Sequence, residues 1–198
     1  MNSIAAIVLA AGSSSRLGQP KQLLKVRGKS LVGIAVENCL NSGIDRAIVV
    51  LGFNNEAVVE VLRDYPVKTL VNQNWEKGMG HSLSFGLNHL TSLWPDIDGL
   101  LIQLCDQPFI PESHFVKLIH LFLKGEKSII ASLYKDTFGP PLICDKRYFP
   151  ELEKLDGDKG AKSIFQKYKE ELYLEPCPEC AADIDKPEDL ELIRKKSG

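Results

Sequence analysis

Arg16 and Lys21 are the residues whose types and spacing most directly suggest chemistry. They lie five positions apart, just past Gly12-Ser13-Ser14-Ser15. A loop of small residues lets backbone N–H groups converge on an anion. Two cations beside such a loop can neutralise charge that moves between phosphate oxygens during transfer. The pattern therefore suits a grip on nucleotide phosphates. The alternative is a strand-to-turn connection carrying two solvated cations. Neither the dinucleotide-binding nor the P-loop glycine motif is present.

Carboxylates supply the complementary chemistry. Asp106 follows an apolar run and precedes Gln107-Pro108. A carboxylate there could hold Mg²⁺ against phosphates, since that ion commonly takes one or two carboxylates plus phosphate oxygens and waters. It could equally be a turn aspartate. Asp183 and Asp185 flank Ile184 in a stretch ending at Lys186-Pro187. With Ile184 inward, alternation turns both acids to the opposite face, where they could approach the same metal. One of them could instead cap the helix that Pro187 opens. Asp156-Gly157-Asp158-Lys159-Gly160 reads as a solvated turn, or as a lid segment that meets a second substrate. Of the four histidines, His81 sits beside glycines and is the most interesting; His89, His114 and His120 read as surface or packing residues. The single CxxC, Cys177-Pro178-Glu179-Cys180, has no second CxxC to complete a zinc site. Half a metal site, a redox pair and plain structural cysteines all remain open, with the structural reading favoured.

Positioning these groups requires a regular frame. Apolar runs at 4–10, 47–51, 67–71, 99–105, 128–133, 140–144 and 172–174 read as strands. Helical periodicity or turn signals place helices at 30–41, 56–62, 82–93, after Pro111, at 149–155, at 161–168 and at 188–195. The alternation predicts a three-layer α/β/α Rossmann-like domain, 1–198, around a mostly parallel sheet. Residues 140–144 are expected near a sheet edge, because Pro140 and Pro141 cannot donate to a ladder. The loop at Gly12, Asp106 and the 183–185 pair all fall at strand ends, where ligands of open α/β sheets bind.

The whole-chain balance narrows the partners. The chain has 198 residues, 44% hydrophobic and 25% charged, with a formal net charge of −2. No global positive field favours nucleic acid. The first apolar run is too short to span a membrane and has no basic leader, so the expected setting is cytoplasmic. Five cysteines without a secretory signal argue against a disulfide scaffold.

The chain resembles the small nucleotidyltransferases of molybdenum cofactor maturation, and most closely their cytidylyltransferase branch. The resemblance rests on Leu9-Ala10-Ala11-Gly12-Ser13-Ser14-Ser15-Arg16-Leu17-Gly18, then Pro20-Lys21-Gln22-Leu23-Leu24. It is strengthened by Leu104-Cys105-Asp106-Gln107-Pro108, by Leu155-Asp156-Gly157-Asp158-Lys159-Gly160-Ala161 and by Asp183-Ile184-Asp185-Lys186-Pro187. It implies that residues 9–14 wrap the nucleotide, that Arg16 and Lys21 stabilise the transferring phosphate, and that Asp106 ligates Mg²⁺ with Asp183 or Asp185. It also implies base contacts from Asn72, Gly78, Met79 and Ser82, with CTP preferred to GTP. Gln107, Pro108, Gly139, Pro140, Asp156 and Asp158 would approach the acceptor, Mo-molybdopterin. The implied reaction moves CMP onto the terminal phosphate of that acceptor, and a molybdenum hydroxylase is the implied recipient. The guanylyl branch, an NTP transferase with another phosphorylated acceptor, and a non-catalytic nucleotide or molybdopterin chaperone are the competing readings. Two departures from the family pattern, Gly139-Pro140-Pro141 and the extra Lys77 before Gly78-Met79, lie where selectivity should be decided.

Overall fold

A computed structural model describes residues 3–53 and 55–191. A seven-stranded mixed sheet forms its centre. In chain order the elements are β1 (Ile4–Ala10), a small hairpin of β2 (Lys25–Val26) and β3 (Lys29–Ser30), α1 (Leu31–Asn41), β4 (Arg46–Leu51), α2 (Asn55–Leu62), β5 (Lys68–Val71) and α3 (Met79–Leu93). They continue with β6 (Gly99–Leu104), α4 (Glu112–Lys124), β7 (Ile129–Tyr134), β8 (Thr137–Asp145), α5 (Phe149–Leu152), α6 (Lys162–Phe165) and β9 (Leu172–Pro176). The sheet order is β5-β4-β1-β6-β8-β7-β9. β1 pairs in parallel with both β4 and β6, and β8 runs antiparallel to β6 and β7. The three-layer, mostly parallel architecture is the one the alternation of elements predicts.

Period-two burial explains why β1 is central. Ala6, Val8 and Ala10 face one layer with Val32 and Val36 of α1, Val58 of α2 and Phe115 of α4. Ala5, Ile7 and Leu9 face the other, with Leu83 and Leu87 of α3 and Phe165 of α6. Both faces are covered, so the strand reads as a continuous apolar run. Ser30 starts α1 by accepting a hydrogen bond from the Gly33 amide at 3.1 Å.

Three expectations are corrected. β8 is an inner strand, not an edge strand, between β6 and β7. Its register against β7 jumps from Ala131↔Leu142 to Ser132↔Gly139. Pro140 and Pro141 fall in that irregularity, where no ladder donor is required of them. The Pro141 carbonyl instead accepts from the Ser132 hydroxyl at 2.6 Å. Second, α3 begins at Met79 rather than at residue 82. Gly80 lies inside the helix and serves close packing: its amide donates to the Gly157 carbonyl at 2.8 Å. Third, the segments expected as helices at 149–155 and 161–168 shorten to the four-residue α5 and α6. Of the helix expected at 188–195, Pro187–Asp189 forms a 3-10 turn, Leu190 and Glu191 are α-helical as expected, and residues 192–198 lie outside the described residues. Among the described residues no helix is long and apolar enough to cross a membrane.

Candidate active site

The chain leaves β1 for β4 on one side and reaches β6 on the other, so the strand order reverses beside β1. The loop after β1 and Asp106 after β6 meet at this crevice. A cavity of about 280 Å³ opens there. Its walls are the β1 end and loop (Leu9 to Ser13), Lys21, Trp75, Glu76, Gly78 and Met79 with Ser82, the β6 end through Asp106, and Asp158.

The loop is held from below by Gln22. This buried side chain donates to the Ala10 carbonyl at 2.9 Å and the Gly12 carbonyl at 2.8 Å. Ser14 takes a positive φ of 55°, and its hydroxyl accepts from the Lys21 amide at 2.9 Å. Ser14 thus shapes the loop rather than lining the cavity. The opposite wall depends on Gly78, with φ of 105°. A Cβ at Gly78 would collide with the Asp158 carboxylate and would lie 2.6 Å from the Gly157 carbonyl. Gly52 plays a similar part, since a Cβ there would come within 2.5 Å of the Ala11 oxygen.

Lys21 lies between two carboxylates. Its Nζ donates to Asp106 Oδ2 at 2.7 Å and to Asp185 Oδ1 at 2.6 Å. Burial opposes the Lys21 charge, but Asp106 and the hydrogen bonds to both acids outweigh it and hold the ammonium above its ordinary range. Burial raises the Asp106 carboxyl and the Lys21 charge only partly offsets it. The hydrogen bond from Lys21 holds Asp185 below the usual carboxylate range. Arg16 is largely exposed, with a guanidinium nitrogen 3.5 Å from Asp185 Oδ2. Ile184 is fully buried, and its amide donates to the Asp106 carbonyl at 2.9 Å. That bond ties the 183–185 segment to the β6 end. Asp183 is exposed, and its negative charge bears on Asp106.

Asp106 Oδ1 is buried and has no hydrogen-bond partner. An orphaned carboxylate oxygen, with two further acids on the adjoining segment, offers the hard oxygen donors that Mg²⁺ takes. The carboxylates at this end of β6 therefore have the donor chemistry that a divalent ion takes.

Sequence-singled residues divide among several places. Leu9 to Ser13, Lys21, Gly78, Met79, Ser82, Asp106 and Asp158 share the cavity. Asn72 is buried behind it, donating to the Ser82 hydroxyl at 3.1 Å. Gly139 and Pro140 line a neighbouring, more apolar cavity of about 240 Å³ with Tyr134, Phe138 and Lys162, and Leu9 and Met79 border both. Asp156 lines a separate hollow with Lys77 and His81. Gln107 is buried and donates to the Cys180 carbonyl at 2.8 Å, while Pro108 lines a groove beside Val26 and Phe109. Sequence reading did not give roles to Gln22, Gly52 or Trp75. Only Trp75 had a local signal, through its place in the polar loop before Gly78.

The model of the MobA-like NTP transferase domain matches residues 6–172. This chain belongs to that family. The MobA-like chain is 29% identical over 200 residues to purine catabolism protein PucB of Bacillus subtilis, covering 96% of this chain and 95% of that protein. It is 31% identical over 179 residues to nicotine blue oxidoreductase of Paenarthrobacter nicotinovorans, covering 84% and 82%. Its fold matches crystalline Rv0371c of Mycobacterium tuberculosis with a TM-score of 0.84, 27% identity and 98% of both chains covered. A structure of Rv0371c with manganese matches at TM-score 0.80, 24% identity and 98% of each chain. The family is one of nucleotidyl transfer.

Proposed function

We propose that this MobA-like chain transfers CMP from CTP to the terminal phosphate of Mo-molybdopterin, releasing pyrophosphate. The observation that carries the nucleotidyl-transfer reading is Lys21, held charged between Asp106 and Asp185 in the wall of the cavity that also contains the Gly12 loop. The resemblance of the Gly78-Met79 and Ser82 wall to the cytidylyl branch supports CTP. The adjoining cavity at Gly139 and Pro140, bordered by Leu9 and Met79, offers the acceptor a place beside the nucleotide.

In this reading the acceptor phosphate oxygen attacks the α-phosphorus in line. The bond from that phosphorus to the bridging oxygen breaks, and pyrophosphate leaves. The acceptor phosphate is already ionised near neutral pH, so the site needs no strong general base. Lys21 and Arg16 stabilise charge on the transferring and departing phosphates. The loop amides align the triphosphate. Asp106, with Asp185 or Asp183, would hold Mg²⁺, which when bound neutralises phosphate charge and helps align the leaving group. Rv0371c, described with manganese, supports a divalent ion in this fold.

Pyrophosphate release with Mg²⁺, Mo-molybdopterin and either CTP or GTP tests the proposal, with the product identified by mass. Release with CTP and a cytosine dinucleotide product is the expected result. Preference for GTP would move the chain to the guanylyl branch. Release only with other phosphorylated acceptors would replace molybdopterin. Binding of both ligands without release would make it a carrier.

A further inference from the structure

The CxxC sequence has no part in the nucleotide site, yet its geometry is organised. Cys177 and Cys180 are both free thiols with no more than 2% of their surface exposed. The Cys180 amide donates to the Cys177 carbonyl at 3.0 Å, closing the turn that carries the two sulfurs. The Cys177 amide donates to the Leu133 carbonyl at 2.8 Å and pins that turn to β7. From the first full turn of α4, His114 enters the same pocket, only 6% exposed. The two sulfurs and one imidazole nitrogen lie within 4.8 Å of one another.

The hydrogen bonds around His114 assign its tautomer. Ser132 spends its hydroxyl proton on the Pro141 carbonyl at 2.6 Å. Toward His114 Nε2, 2.7 Å away, that hydroxyl must therefore accept. Nε2 carries the proton, and Nδ1 is left as the lone-pair nitrogen. A histidine fixed through its far nitrogen is the usual arrangement behind a metal-ligating imidazole. Glu179, on the exposed rim, has Oε2 4.0 Å from Cys177 Sγ.

We propose that Cys177, Cys180 and His114 form a structural site for a thiophilic closed-shell cation, with Zn²⁺ as the best fit and Glu179 as the fourth donor. Two thiolates, an imidazole and a carboxylate suit tetrahedral zinc. Two sulfurs on one tetrahedral zinc ion sit about 3.8 Å apart at ~2.3 Å bonds, a separation that the C-x-x-C spacing of structural zinc sites provides. The two thiolates and the imidazole are softer donors than the carboxylate oxygens at Asp106, so the two sites select different ions. The ion would brace the wall behind the nucleotide pocket. The Cys180 carbonyl holds Gln107, and four residues later the Ile184 amide holds the Asp106 carbonyl.

Metal analysis of the full chain, kept reduced, loaded with zinc sulfate and freed of excess metal, tests this without any activity readout. One tightly held zinc per chain is expected. Replacement by Co²⁺ should give thiolate-to-cobalt charge-transfer absorption with tetrahedral visible bands. Cys180→Ser and His114→Gln should lower retained zinc at least tenfold. Those two positions are buried, so Glu179→Gln supplies a surface variant, expected to weaken zinc binding about tenfold while keeping the wild-type circular dichroism. The proposal fails if the folded, reduced chain retains no zinc, or if the cobalt spectrum lacks charge transfer. It also fails if Cys180→Ser keeps its zinc, or if peptide mass shows a Cys177–Cys180 disulfide persisting under reduction.

Discussion

Lys21 does two jobs that its position in the sequence does not separate. It is a candidate for charge stabilisation, and it is also the counter-ion of Asp106, whose side chain is only 16% exposed. Removing one partner of a largely buried pair leaves a charge without compensation, which costs several-fold more than the pair itself contributes. Lys21→Met should therefore lower turnover by at least ~100-fold and also reduce stability by about 1–3 kcal/mol. Adding Asp106→Asn to that variant should restore most of the stability and none of the turnover. Urea unfolding alongside pyrophosphate release reads both quantities. A double variant no more stable than Lys21→Met would show that the ion pair is not the source of the loss. At this scale the candidate residues could be named from the sequence, because small residues followed by two cations are one way a chain grips phosphate. The partnership of Lys21 with Asp185 could not, since nothing local relates residues 164 apart.

Glycine positions show where the elements depend on backbone shape. Gly78 ends a 3-10 turn and starts α3 with a positive φ, pressed against Gly157 and Asp158. Gly78→Ala combines left-handed strain with a backbone collision, so it should destabilise the chain by about 1–3 kcal/mol and weaken CTP binding. Gly12 has ordinary φ and open space around its would-be Cβ. Gly12→Ala should thus fold with an unchanged melting temperature. If phosphate approaches the loop backbone, the same variant should bind CTP at least ~10-fold more weakly. Thermal denaturation and titration calorimetry separate the two cases; wild-type affinity in Gly12→Ala would take the triphosphate away from that loop. Apolar runs marked all seven sheet strands, most clearly the inner ones whose two faces are both covered. They could not say that β8 lies inside the sheet, since that depends on a register jump made jointly by two strands. The small β2–β3 hairpin also escaped notice, for two-residue strands carry no period.

Taken as a whole, the molecule keeps several ionisable thiols neutral in its interior. Burial pushes Cys39 and Cys105 up to about 12, and it raises Cys144 as well. In the unfolded chain these thiols ionise near 9. Between pH 9 and 12 the folded chain therefore binds more protons than the unfolded one, and stability falls as pH rises. The contribution is complete below pH 9 and is lost as pH climbs toward 12. Urea midpoints measured from pH 7 to 11 should hold level and then decline, and Cys39→Ala should flatten the decline whatever its effect at pH 7. A wild-type midpoint that stays constant to pH 11 would contradict this assignment. The three-layer architecture was readable from element order alone. The division of the cavities was not, because it arises where α3 meets the 156–160 turn, two segments that are far apart in the chain.

The joining of Lys21 to Asp185 also has a consequence in time. During synthesis the Gly12 loop and Lys21 emerge early, followed by Asp106, but the carboxylate that completes the clamp is made 164 positions after the lysine it holds. Contacts this distant in sequence form late, after the intervening chain has been gathered in. A nascent chain stalled before residue 185 would offer Lys21 only Asp106 as a partner, so the two-carboxylate clamp can close only after the later segment has been made.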